Sequence, residues 1–70
     1  MMPLSMLSVG EERKIIKISG KDETKRFLEN LGFVEGSEIS VVSELAGNII
    51  VNVKDARVAI DKIMANRIMV

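Results

Sequence analysis

Seventy residues with 47% apolar content make one domain, residues 1–70, since a chain of this size buries only about 60% of its unfolded surface and has no material for a second core. Ten basic and ten acidic residues cancel, and two Phe without Trp or Tyr leave no stacking platform, so no nucleic acid is expected as a partner. The absence of cysteine excludes disulfides and thiolate metal sites and suits a reducing, cytoplasmic setting, while the absence of histidine removes the commonest general base and argues against an enzyme.

Met1 to Leu7 is apolar, but it carries Pro3, lacks a basic flank and is far shorter than the ~20 residues of a membrane span, so no direct membrane insertion is expected. Pro3 to Leu7 reads as a short edge segment. Its Met1, Met2, Leu4, Met6 and Leu7 suit either packing across the end of the domain or an adaptable apolar contact surface. A turn over residues 8–12 leads to a strand over Arg13 to Ile18, with Ile16 and Ile18 on one face.

Asp22 is placed to cap a helix that runs to Leu31 and packs Phe27, Leu28 and Leu31 inward. Gly32 follows at the position where a left-handed residue ends a helix, with Leu28 and Phe33 as the apolar pair of a Schellman motif. After Gly36 a strand covers Glu38 to Leu45, with Ile39, Val41 and Leu45 on one side and Val42 on the other. Gly47-Asn48 supplies a two-residue turn into Ile49–Val53. A second reversal at Lys54-Asp55 leads to Ala56–Ile60, with Ala56, Val58 and Ile60 sharing a face, which completes a meander. Asp61 caps a helical turn reaching Asn66, with Ile63 directed to the core, and Arg67–Val70 closes as a strand. Five short strands, one helix and one C-terminal helical turn predict a mainly β, small α+β barrel closed on itself.

The serines have no histidine partner and no nucleophile-elbow glycines, and the glycines lack phosphate-loop or dinucleotide spacing. The carboxylates Glu11-Glu12, Asp22-Glu23 and Glu35 with Glu38 suit solvated charge, or at most a weak all-oxygen site for a hard divalent ion. Lys21, Lys25 and Arg26 make a basic strip on the helix, set among Asp22, Glu23 and Glu29. That pattern fits a solvated face, or a surface that docks an acidic partner. Self-association into a homo-oligomer is a further route to stability for so small a core.

The chain resembles the ferrous iron transport protein A (FeoA) family over nearly its full length. The resemblance is carried by Pro3-Leu4 with Gly10, Ile16-Lys17-Ile18, the corner Arg26-Phe27-Leu28-Glu29-Asn30-Leu31-Gly32-Phe33-Val34-Glu35-Gly36, and Ile39-Ser40-Val41-Val42. It continues through Val51-Asn52-Val53, Arg57-Val58-Ala59-Ile60 and Ala65-Asn66-Arg67-Ile68-Met69-Val70. At Lys54-Asp55 the chain departs from the glycine common in that family, in a place where Asp tolerates the left-handed region. The resemblance implies an SH3-like barrel and a non-catalytic accessory of a ferrous iron transporter, contacting the transporter's cytoplasmic GTPase domain and so membrane-associated only through it. The contact residues expected are Lys25, Arg26 and Glu29 on the helix and Val34 and Glu35 at the corner. The resemblance carries no ligand set, so a metal site is unassigned, with weak binding of Fe2+ or another divalent ion as the alternative role of a sensor module. A similar SH3-like domain ends certain metal-dependent transcriptional regulators, and a piece of such a larger chain is the other alternative.

Overall fold

The helix forms where its sequence places it. α1 spans Asp22–Asn30 and ends on Gly32, whose φ of 106° lies in a region costly for residues with a Cβ. Gly32 N–H donates to the Glu29 carbonyl at 2.9 Å and Phe33 N–H to the Leu28 carbonyl at 3.0 Å, the two bonds of a Schellman motif. Leu28 and Phe33 are thereby both delivered to the core, where neither is accessible to solvent. The helix start differs from expectation: Lys21 is the N-cap residue, no side chain caps it, and Asp22 is the first helical residue, where its charge still complements the helix dipole. Phe27 is 50% exposed, because Leu28 takes the inward direction and one helical step turns a side chain by about 100°.

The computed structural model describes residues 1–70 and contains two sheets. β1 (Glu12–Lys14), β3 (Glu38–Leu45), β4 (Asn48–Val53) and β5 (Ala56–Asp61) form an antiparallel sheet in the order β1-β3-β4-β5, and β2 (Lys17–Ile18) pairs with β6 (Ile68–Met69). The small α+β layout, the meander and the C-terminal turn follow expectation. Hydrogen bonding does not, however, close one sheet on itself, and the strand expected over residues 13–18 is two strands. At the break, Ile15 N–H donates to the Ser37 carbonyl at 2.9 Å, the Ile15 carbonyl accepts from Gly36 N–H at 2.7 Å, and Ile16 N–H donates to the Met69 carbonyl at 2.8 Å. The chain changes sheets there, which resets its alternation. Ile15 and Ile18 are buried and Ile16 is exposed, whereas unbroken alternation puts Ile16 with Ile18.

A second irregularity lies in β3. The register with β4 slips between Val41 and Ser43, so one residue is inserted and the face alternation inverts. Ile39 and Val41 point inward ahead of the bulge, and Leu45, expected on their side, is 68% exposed beyond it. The turn that follows is Ala46-Gly47, with φ of 51° and 83°, one residue earlier than expected; Asn48 already pairs with Leu45. Lys54 and Asp55, with φ of 49° and 62°, form the second two-residue turn where expected.

Asp61 Oδ1 accepts from Met64 N–H at 2.8 Å and caps α2 (Lys62–Ala65). Ala65 is the residue this short helix buries; Ile63 stays 71% exposed rather than entering the core. The N-terminal segment is a 310 turn, Leu4–Met6, instead of an edge strand. Leu4 and Leu7 are buried in it and Met1 and Met6 exposed, so the segment packs across the domain end and leaves part of its apolar surface outside. Met2 and Val70 exchange two backbone hydrogen bonds, at 2.9 and 2.7 Å, and Ser5 Oγ donates to Asn66 Oδ1. All fifteen buried residues are apolar, so no desolvated charge opposes folding.

The Ser8–Glu11 turn has Gly10 at φ 91° in its third position, as a type II turn requires. Glu11 N–H donates to the Ser8 carbonyl at 3.0 Å, and Ser8 N–H returns a bond to Glu11 Oε1 at 2.9 Å. That amide, aided by Arg13 whose guanidinium lies 3.7 Å away, holds the Glu11 carboxyl below its ordinary pKa.

Three outcomes are expected. Gly32→Ala should lower unfolding free energy in urea by about 1–2 kcal/mol, the cost of a Cβ in the left-handed region. Leu45→Ser should stay within about 0.5 kcal/mol of the parent, while Ile49→Val should cost about 0.5–1.5 kcal/mol; equal losses would contradict the bulge. A depressed carboxyl pKa stabilises the fold above the unfolded-state value, and that contribution disappears as pH falls through the folded-state value. The stability gap between the parent and Glu11→Gln should therefore be largest at neutral pH and close in acid, read as urea midpoints along a pH series.

Candidate functional site

The corner after α1 is held from outside the helix. Gly36 N–H and the Ser37 carbonyl both bond Ile15, and Ser37 N–H donates to the Val34 carbonyl at 3.1 Å, closing a turn over residues 34–37. Gly36, at φ 86°, gives this turn its direction. Val34 and Glu35 consequently sit opposite the helix positions 25 and 29, which lie one above the other on α1.

These residues enclose a hollow of about 320 Å³ lined by Ile18, Lys25, Glu29, Val34 and Glu35. Four of the five residues expected at a contact site are thus brought together. Arg26 is not in the lining; it is exposed on α1 one helical step from Lys25. Ile18 joins the hollow although nothing local in the sequence marks it, because β2 reaches the site only through its pairing with β6. Val34 and Lys25 are half-buried, Glu29 and Glu35 are exposed. The one ion pair of the molecule is Arg13 with Glu11, so Lys25, Glu29 and Glu35 keep their charges uncompensated by a salt bridge. Chemically, the hollow offers an apolar floor rimmed by one cation and two anions, a surface suited to a partner side chain.

A larger hollow of about 640 Å³ lies on the outer face of the four-stranded sheet. Strand register sets Glu12, Ser40, Asn52 and Arg57 directly across from one another in a single row over all four strands. Glu38, Lys54 and Asp55 lie beside this row. Sequence reading misses it, since the alternation of each strand shows its outward residues but not which of them stand side by side. No three Asp or Glu side chains converge anywhere, so the acidic pairs remain apart and build no multidentate metal centre. No helix is long and apolar enough to cross a membrane.

The FeoA domain profile matches residues 2–70. A crystal structure of an iron uptake regulatory protein, FeoA, is 34% identical, with a TM-score of 0.89 over 97% of this chain and 90% of that one. FeoA of Stenotrophomonas maltophilia complexed with zinc, a prokaryotic SH3 domain protein put forward as a ferrous iron transport activating factor, is 27% identical, with a TM-score of 0.85 over 99% and 88%. A manganese-dependent transcriptional repressor shares the fold at 25% identity and a TM-score of 0.85, over 94% of this chain but 38% of the repressor. No curated protein sequence matches. The SH3-like path of the strands and a profile that runs from the second residue to the last give one conclusion: the chain belongs to the FeoA domain family.

Proposed function

We propose that this protein is a non-catalytic accessory of ferrous iron transport that binds the cytoplasmic GTPase domain of a ferrous iron transporter through the hollow between α1 and the 34–37 turn. Membership of the FeoA family associates the chain with ferrous iron transport, and iron uptake regulation and transport activation are the roles given to similar proteins. The observation that carries the site is the gathering of Lys25, Glu29, Val34 and Glu35 around Ile18, with their charges free of internal ion pairs. A charged rim around an apolar floor sets approach and orientation through the charges and residence through the burial. Arg26, beside the hollow, extends the cationic side toward the partner. Ferrous ion enters this reading as the transporter's cargo.

Reversing both cations, Lys25→Glu with Arg26→Glu, should weaken binding to the GTPase domain by about thirtyfold, because reversed charges at a contact cost around 2 kcal/mol and each 1.4 kcal/mol is tenfold. The measurement is titration by calorimetry with nucleotide varied, and circular dichroism confirms the fold of the variant. Unchanged affinity in the double variant removes the hollow from the contact. No binding by the parent in any nucleotide state overturns the accessory role and turns attention to the repressor-type setting of the same fold.

A further inference from the structure

β5 is the free edge of the four-stranded sheet: it pairs with β4 and with no other strand. The two-residue turn at Lys54-Asp55 joins Val53 and Ala56 by its closing hydrogen bond, which points the N–H of Ala56 toward β4. Alternation then directs the N–H and C=O groups of Val58 and Ile60 the same way and sends the N–H groups of Arg57, Ala59 and Asp61 to the open side. No other backbone partner takes up Arg57 or Ala59. Both residues are exposed, and no Pro or bulge interrupts this edge.

We propose that β5 is a self-pairing edge, on which a second copy of this chain adds its own β5 antiparallel about a two-fold axis at Ala59. Three features agree in that register, and the charge pairing sets it apart from its neighbours. The edge-directed amides at 57, 59 and 61 then meet those at 61, 59 and 57 of the other copy, so the hydrogen-bonding phase is right at every rung. Arg57 stands opposite Asp61 twice, by symmetry, which pairs the only cation of the strand with its only anion. Val58 stands opposite Ile60 on the inward face, apolar against apolar. A slip of the axis by one residue to Val58 keeps the hydrogen-bonding phase but faces Arg57 with Ala59 and Asp61 with Asp55, so both opposite-charge pairs are lost and like charges meet. The Asp61 carboxylate accepts from Met64 N–H through one oxygen, which leaves lone pairs for the guanidinium.

The row Glu12, Ser40, Asn52 and Arg57 would continue across the junction into Asp61 and Asn48 of the second copy, making one sheet of eight strands. A single strand junction buries far less than a standard interface, so the dimer is weak and belongs to high concentration.

The test is sedimentation equilibrium of the full chain over a concentration series that reaches the millimolar range, with amide exchange followed by NMR in parallel. The expected result is a monomer–dimer equilibrium in which the Arg57, Ala59 and Asp61 amides gain protection as concentration rises. Arg57→Glu places two like-charge contacts across the junction and should raise the dissociation constant about tenfold. Ala59→Pro removes the central donor at an edge position where Pro costs no ladder bond within the monomer, and should abolish the dimer. A monomer at every concentration overturns the proposal, as does a dimer that survives a folded Ala59→Pro and the Arg57→Glu variant alike. If the chain stays monomeric and Ala59→Pro instead weakens GTPase-domain binding, the edge receives a partner's strand and self-pairing is wrong.

Discussion

The transfer of the chain from one sheet to the other at Ile15-Ile16 is the constraint on which the rest of the molecule depends. A buried backbone must pair its amide and carbonyl, and Ile15 does so with Ser37 and Gly36, on the far side of the helix. One buried residue therefore anchors the exit of α1, orients the 34–37 turn and starts the path that carries Ile18 to β6. The hollow inherits its geometry from these bonds. Lys25 and Glu29 are fixed by helical periodicity alone, but Val34, Glu35 and Ile18 reach them only because the chain changes partners at this point.

The second organising feature is the closure of the two ends. Met2 with Val70, Pro3 with Met69 and Ser5 with Asn66 join the first turn of the chain to its last strand and to the end of α2 before it. The meander β3-β4-β5 closes through two-residue turns and carries little loop entropy, whereas pairing β2 and the N-terminal segment with β6 closes loops spanning most of the chain, which is entropically the more costly step. What offsets that cost is burial: Leu4, Leu7, Ile68 and Val70 are all removed from water where the ends meet.

The shared fold of FeoA proteins and of a domain within a manganese-dependent repressor means that the strand path by itself carries no assignment of role. Function must lie on the surface. Here the core is wholly apolar, and all twenty charged residues that cancel in number are spent outside it. Their arrangement then matters more than their sum: a small charged hollow beside the helix, a polar row on the sheet face, and an open edge at the end of that row. A neutral chain can still present strong local complementarity, because screening over about 8 Å at physiological salt makes each patch act nearly independently.

Several elements were legible without coordinates because their causes are local. Gly32 after an apolar helical face, with Leu28 and Phe33 at the right offsets, determines the helix end through the φ that only glycine adopts cheaply. Asp61 before an apolar turn determines the start of α2, and Lys54-Asp55 between alternating runs determines the second hairpin. The helix half of the candidate site was legible for the same reason. Only the tertiary structure decided which isoleucine of Ile15-Ile16 goes inside, where β3 inserts its extra residue and turns Leu45 outward, and that Ile18 floors the hollow. These depend on which distant strand each backbone group bonds. Side-chain alternation determines faces only while a strand keeps one partner, and this chain exchanges partners or slips register at the two places where alternation misleads.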